Sequence, residues 1–263
     1  MHHCYQILCI LIYRKLCIVI YRLQRLIHKR FKREIEALKA CKERNVNNIV
    51  TIFSFGQLKA KKKVGNGIQT FLFYTMEYAQ MDLKNYLEKN DIDKSDRLGI
   101  CIELCDALSK LHKLDIYHRD LKPDNILRIN EEWKIADLGL IAYRNEDVII
   151  DKKGDFIGPR GWVSPEVMNK YLSEDVEHFN FDCDIDDQSD IFQMGKIMWY
   201  LLQGNAPIGC VKENDFNFPY KNLYPIVRSM LNHSKKKRPK NIDEVRKELQ
   251  IHYNKMMAKQ IIA

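Results

Sequence analysis

A chain of 263 residues with 46% hydrophobic and 30% charged composition can bury a sizeable core, as one domain or as two lobes sharing a cleft, and is neither disordered nor fibrous. Its eight cysteines lack paired metal-type spacing, and Cys101 and Cys105 sit one helical turn apart in an apolar pattern, so reduced, mostly buried thiols and a cytoplasmic setting are expected instead of a disulfide framework. The formal net charge of +8 is concentrated between Arg14 and Lys63, whereas Glu174 to Asp190 is acidic; no RNA-binding or helix-turn-helix signature accompanies the basic stretch, so a solvated basic face is expected and no specific nucleic acid.

In chain order, Cys9 to Leu16 is nearly repeated by Cys17 to Leu23, two β-rich apolar runs each closed by Tyr and a basic residue. Arg14 and Lys15 interrupt the run well short of the ~20 residues a spanning helix needs, so membrane contact through residues 1–30 is only a minor expectation. No charged start followed by a small-residue cleavage site marks a secretory signal. Two short strands, or a strand feeding a helix, are expected here. From Phe31 the spacing turns helical, with Ile35, Leu38 and Cys41 on one line and Glu34 off it, facing a cleft. Ile49 to Leu58 and Ile68 to Tyr78 read as strands of a hairpin joined by the polar link Lys59 to Gly67.

After Tyr78 the pattern is helical. A short helix is expected over Asp82 to Lys89, then a longer one capped by Ser95 with Leu98, Cys101, Cys105, Leu108 and Leu111 as its apolar stripe. Trp133 to Ala136 reads as a short strand, a charged loop runs on to Glu166, and helices resume near Ile191 to Leu202, Leu223 to Leu231 and Ile242 to Tyr253. The expected class is α+β: a small β-containing part over 1–78 and a mainly helical part over 79–263.

The most informative stretch is Tyr117-His118-Arg119-Asp120-Leu121-Lys122-Pro123-Asp124-Asn125, which places a carboxylate, an ammonium and an amide within six positions. Such a segment can relieve a hydroxyl of its proton, neutralise a phosphate and hold a metal. It fits the pattern H-R-D-L-x-x-x-N at every specified position. Asp137-Leu138-Gly139 follows it, then Ser164-Pro165-Glu166, Asp190 ahead of an apolar helix, and Arg238 within Lys235-Lys-Lys-Arg238-Pro239. The run Asp182, Asp184, Asp186 imitates the start of a calcium loop, but Asp187 and Gln193 stand where glycine and glutamate are needed.

With these segments in this order, the chain resembles the eukaryotic-type protein kinase family from about residue 31 to its end. The resemblance implies a bilobal fold with ATP in the cleft and a protein substrate on the larger lobe. It implies that Asp120 orients the attacking hydroxyl, Lys122 neutralises the transferring phosphate, and Asn125 and Asp137 hold Mg2+, whose preference is for oxygen ligands. It further implies that His118 and Arg119 support the loop, that Asp190 braces it from beneath, and that Glu166 pairs with Arg238. Met76 would be the gatekeeper, Glu77 and Ala79 would present backbone groups to adenine, Asp82 would reach the ribose and Leu127 would lie under the base.

The departures lie in the first part. The first glycine is Gly56, so no G-x-G-x-x-G loop precedes a strand. Val19-Ile-Tyr21-Arg22 is the best match to V-A-I-K, which puts Tyr21 where the lysine that pairs with Glu34 belongs, and Lys15 is the alternative. Lys122-Pro-Asp-Asn125 resembles serine/threonine kinases, whereas Pro159-Arg-Gly-Trp162 has a tyrosine-kinase look. The catalytic loop carries more weight, because Lys122 acts on the phosphate itself. From Asp137 to Glu166 there is no threonine, so loop phosphorylation would use Tyr143 or not occur, with Asp147, Asp151 and Asp155 offering standing negative charge near Arg119 instead. Two functions follow as expectations: a protein kinase using ATP and Mg2+, or a pseudokinase or truncated form acting as a binding scaffold.

Overall fold

The computed structural model describes residues 8–11, 16–22, 25–61, 67–144, 151, 155–173, 176 and 181–262, with side chains from residue 29 to 259. Lys15, Asp147 and the side chain of Tyr21 lie outside this description. The first part forms a four-stranded antiparallel sheet of β1 (Leu8–Leu11), β2 (Leu16–Arg22), β3 (Ile52–Lys61) and β4 (Ile68–Glu77), in the order β1-β2-β4-β3. The repeated apolar runs are therefore paired strands, with Leu8 opposite Ile20. A register shift between Ile52 and Ser54 turns Phe53 out to solvent at 48% exposure.

Against this sheet lies α1 (Arg25–Glu43), which begins six residues earlier than the apolar spacing from Phe31 predicts. Its Phe31, Ile35, Leu38 and Cys41 are buried on the expected line, and the Phe31 ring stacks on Tyr74 of β4 with centroids 5.3 Å apart. A short β5 (Met81–Asp82) leads into α2 (Leu83–Lys89), where the Asp82 carboxylate accepts from the Asn85 amide at 2.8 Å and caps the helix. The next helix, α3 (Lys94–His112), starts one residue before Ser95, and its N-cap residue is Asp93. The expected cap at Ser95 is thus corrected: the serine already lies within the first turn.

β6 (Ile116–Tyr117), β7 (Ile126–Ile129), β8 (Glu132–Ile135) and β9 (Ala142–Tyr143) form small antiparallel ladders around the polar loop: β5-β7-β8 and β6-β9. The helices α4 (Pro165–Ser173), α5 (Asp187–Gln203), α6 (Tyr224–Met230) and α7 (Ile242–Ile262) complete the second part. Of these, α4 is not among the expected helices; it begins at Pro165, where the expected charged loop ends. Helix α5 is buried nearly all round, with Ile191, Met194, Ile197, Met198 and Leu201 fully inaccessible; α3, α4 and α6 pack on it, while α7 packs on α3. Gly204 ends it in the left-handed conformation at φ 80°, where a side chain is disfavoured.

The two parts are stitched together behind the cleft. Ile49 forms an isolated parallel bridge with Ile135, with Val50 N–H donating to the Ile135 carbonyl and Ile135 N–H to that of Asn48. Lys110 of α3 also donates to Asn48 Oδ1 at 2.9 Å. The α+β division into a sheet-containing part and a helical part is therefore as expected.

Candidate active site

The loop between β6 and β7 is held from below by α5. Asp190, wholly buried, accepts from the backbone N–H of His118 at 2.7 Å and of Arg119 at 2.8 Å, and His112 Nε2 lies 3.0 Å from the same carboxylate. Gln193, three residues on and so on the same helical face, accepts from Leu121 N–H at 3.1 Å and donates to the Arg119 carbonyl at 3.3 Å. These bonds hold Arg119 at φ 67°, which a non-glycine residue adopts only when its surroundings impose it. His118 is buried too: its Nδ1 accepts from Asp120 N–H at 3.2 Å, which assigns the ring proton to Nε2, 3.0 Å from the Ala136 carbonyl. Through His118 the catalytic loop and the Asp137 segment become one unit.

Asp120 stands at the loop's tip. Asn125 Nδ2 donates to its carboxylate at 2.8 Å and to its carbonyl at 2.9 Å, and Lys122 Nζ lies 3.3 Å from the same Oδ2. Burial raises the Asp120 pKa from its ordinary value; Lys122 opposes that shift and the nearby Asp137 adds to it. Because Asn125 spends its Nδ2 on Asp120, its amide oxygen is the atom left to coordinate. Asp137, at φ 61°, is the other oxygen donor, and its Oδ1 takes only a 3.3 Å bond from Gly139 N–H. Gly139 makes room for it: a Cβ there would lie 3.1 Å from Asp137 Oδ1 and 3.8 Å from Glu34 Oε2. Among the described residues no three His, Cys, Asp or Glu side chains could enclose a metal by themselves. Two hard oxygen donors facing a cleft nevertheless fit Mg2+, which keeps waters and substrate phosphates in its remaining positions.

Glu34 of α1 reaches the same place from above and is 1% exposed. Its partner is Tyr74 of β4, whose hydroxyl donates to Oε1 at 2.8 Å. Burial first, then the neighbouring Asp137, push its pKa up to about 8, against the opposing hydrogen bonds of Tyr74 and the Leu138 backbone. Sequence reasoning missed Tyr74. Its only signal is that it lies two residues before Met76 on a strand, where alternation places both on one face.

The residues expected around adenine assemble in part. Met76, Ala79 and Leu127 pack on one small cluster of Val50, Ile129 and Ala136, an apolar floor between the two parts. Glu77 is also tied into the structure around it. Its N–H donates to the Thr51 carbonyl at 3.2 Å, and its carboxylate takes Lys134 Nζ at 2.8 and 3.0 Å and Thr51 N–H at 2.8 Å, so its side chain and amide serve the architecture. Both oxygens of Asp82 are likewise engaged by Asn85, at 2.8 and 2.6 Å.

Below the site, Glu166 and Arg238 form a buried two-point pair at 2.5 and 2.9 Å, with Ser189 Oγ donating to Glu166 at 3.1 Å and Arg238 also donating to the carbonyls of Gln188, Asn232 and His233. Every strong donor is answered, the condition under which a buried ion pair fixes geometry. The acidic run nearby is held by Lys235, at 3.0 Å from both Asp182 and Asp186, so these acids are paired and not merely solvated.

A family model described as protein kinase domain matches residues 17–262. The serine/threonine-protein kinase cds1 of Schizosaccharomyces pombe is 30% identical over 195 residues, covering 71% of this chain and 39% of that protein. A probable serine/threonine-protein kinase, kinX, of Dictyostelium discoideum is 30% identical over 210 residues, covering 78% of this chain and 16% of that protein. The mouse dual specificity protein kinase TTK is 24% identical over 140 residues, covering 53% of this chain and 16% of that protein. The chain thus spans well under half the length of these relatives.

Proposed function

The chain belongs to the protein kinase family, and from that premise we propose that it transfers the γ-phosphate of ATP to a protein, with serine and threonine hydroxyls as acceptors in a cytoplasmic setting. The observation that carries this reading is the Asp120 carboxylate, held by Asn125 and flanked by Lys122 at 3.3 Å. Phosphoryl transfer asks a protein chiefly for alignment and charge stabilisation. Asp120 accepts a hydrogen bond from the entering hydroxyl and takes its proton, a role helped by the raised basicity that burial gives it. Lys122 faces the oxygens that gain charge. Mg2+, held by Asn125 and Asp137, would neutralise the nucleotide phosphates. The apolar floor of Met76, Ala79 and Leu127 suits a flat heteroaromatic base.

The acceptor class rests on the Lys122-Pro-Asp-Asn125 loop and on the serine/threonine kinases among the relatives. Replacing Asp120 by Ala is expected to lower phosphate transfer to a protein substrate by about 10²–10⁴-fold; unchanged transfer would remove Asp120 from its role.

A second reading is favoured by one observation. Glu34 is bonded to a tyrosine and, among the described residues, pairs with no lysine, and burial raises its pKa to about 8. On this reading the fold is a scaffold without transfer. It predicts no labelling of any substrate and no thermal stabilisation by ATP with Mg2+, whereas the first reading predicts both.

A further inference from the structure

One oxygen of Glu34 is left unanswered by the fold. Its Oε1 takes the Tyr74 hydroxyl at 2.8 Å, while its Oε2 is buried and makes no hydrogen bond. The residue is 1% exposed, so bulk water does not relieve that oxygen, and a stranded buried acceptor is costly. The charged group that acts on Glu34 is Asp137, of the same sign. Both carboxylates border one small space beside Gly139. A Cβ there would meet Asp137 Oδ1 at 3.1 Å and Glu34 Oε2 at 3.8 Å, and the glycine leaves that space open. Asp137 Oδ1 in turn takes only the 3.3 Å bond from Gly139 N–H. In the family pattern a lysine answers the glutamate at this place, but the matching position of this sequence is Tyr21, whose side chain brings no positive charge.

We propose that Glu34 is a metal ligand in this chain: its Oε2 and Asp137 together hold a divalent cation, Mg2+ in the working protein, and that cation supplies the positive charge a lysine would otherwise bring to the cleft. The donors are hard oxygens of the kind Mg2+ selects, and Mg2+ characteristically takes one or two carboxylates and completes its shell with water and substrate phosphates. A cation also resolves the conflict of two like charges that face each other away from bulk water, which without a counter-charge is strongly unfavourable. Because Glu34 belongs to α1 and Asp137 to the segment after β8, the ion ties the first helix to the catalytic part directly.

The role of the ion in transfer rests on the phosphotransfer reading, but its binding is followed without any transfer. MnCl2 is the probe, added to the full chain alone and with ATP present, and bound metal is measured by electron paramagnetic resonance. Glu34→Gln keeps the shape of the side chain and an oxygen for Tyr74, and is expected to weaken Mn2+ binding by at least about 10-fold; Asp137→Asn is expected to weaken it as much or more. A second measurement needs no variant: Mg2+ with ATP is expected to slow hydrogen exchange of the α1 amides in the wild-type chain, relative to ATP alone. In Glu34→Gln that slowing disappears, which a merely structural role for Glu34 would not produce. Equal Mn2+ affinity in Glu34→Gln and wild type, no Mn2+ bound by the wild type in either condition, or α1 exchange indifferent to the ion would each overturn the inference. Loss of transfer in Asp120→Ala alongside unchanged Mn2+ affinity in Glu34→Gln sinks this inference alone. A wild-type chain that binds Mn2+ through Glu34 yet transfers no phosphate supports the site and counts against the kinase reading alone.

Discussion

Glu34 is a carboxyl group whose charge the fold resists. In the unfolded chain it titrates near the ordinary value of 4.5, and in the folded protein near 8. Between those limits the folded state holds a proton that the unfolded state has released, so stability falls as pH rises from 4.5 towards 8, by up to about 1.4 kcal/mol per pH unit from this group. Below 4.5 both states are protonated and the penalty vanishes. Replacing Glu34 by Gln keeps the Tyr74 hydroxyl satisfied and removes the titration. Urea unfolding at pH 5 and pH 8 should therefore show the variant gaining on the wild type as pH rises; a constant difference would contradict the burial of this charge. At this scale, residues whose roles are defined by near neighbours in sequence were legible: His118, Asp120, Lys122 and Asn125 lie in one run and meet in space. Tyr74 with Glu34, and Lys134 with Glu77, were not. Their meeting depends on how a strand and a helix face each other, which no local pattern encodes.

Among the elements, the two internal helical glycines make opposite demands. A Cβ on Gly195 of α5 would stand 2.8 Å from Met230 Cβ and 3.2 Å from Leu231 Cδ2, so α5 and α6 approach as closely as they do only because that side chain is missing. Gly195→Ala is expected to destabilise by about 1–3 kcal/mol through overpacking. On α3 the nearest atom to a Cβ on Gly99 is Tyr253 Cε2 at 3.9 Å, ordinary contact. Gly99→Ala is expected to stabilise by roughly 0.5–1 kcal/mol through helix propensity. Thermal melts of the two variants give the test, since shifts of the same sign would reject the packing argument. Element types were readable wherever periodicity ran long enough: α3 carried its stripe of Leu98, Cys101, Cys105, Leu108 and Leu111 into the core as expected. Boundaries were less so. α1 starts at Arg25, ahead of the apolar spacing that begins at Phe31, and α3 begins without a side-chain cap.

Across the whole molecule, the two parts share one buried hydrophobic core and are further joined by polar pairs. The Lys134–Glu77 pair is prominent among them, with Lys134 6% exposed. Lys134→Met leaves the Glu77 carboxylate without its cation and is expected to cost about 3–5 kcal/mol, most of it recovered when Glu77 is replaced by Leu in the same chain. Denaturation followed by circular dichroism would check both values; no recovery in the double variant would mean that the loss is one of shape and not of stranded charge.

The distribution of thiols lets the chain time its own opening. Cys41 is buried in α1, Cys101 and Cys105 in α3, while Cys183 is half-buried and Cys210 exposed. Burial also pushes Cys41 and Cys101 up to about 12, so reaction with a maleimide waits for the surrounding structure to open. With labelled peptides mapped by mass, Cys210 is expected to react first of these five and Cys101 and Cys105 only at the rate of global unfolding. Cys41, in α1 of the smaller, sheet-containing part, should fall between them if that part opens ahead of the helical one. Simultaneous labelling of Cys41 and Cys101 would mean that the molecule opens as a single cooperative body, and the lag between them otherwise measures, in native buffer, how independently one half breathes.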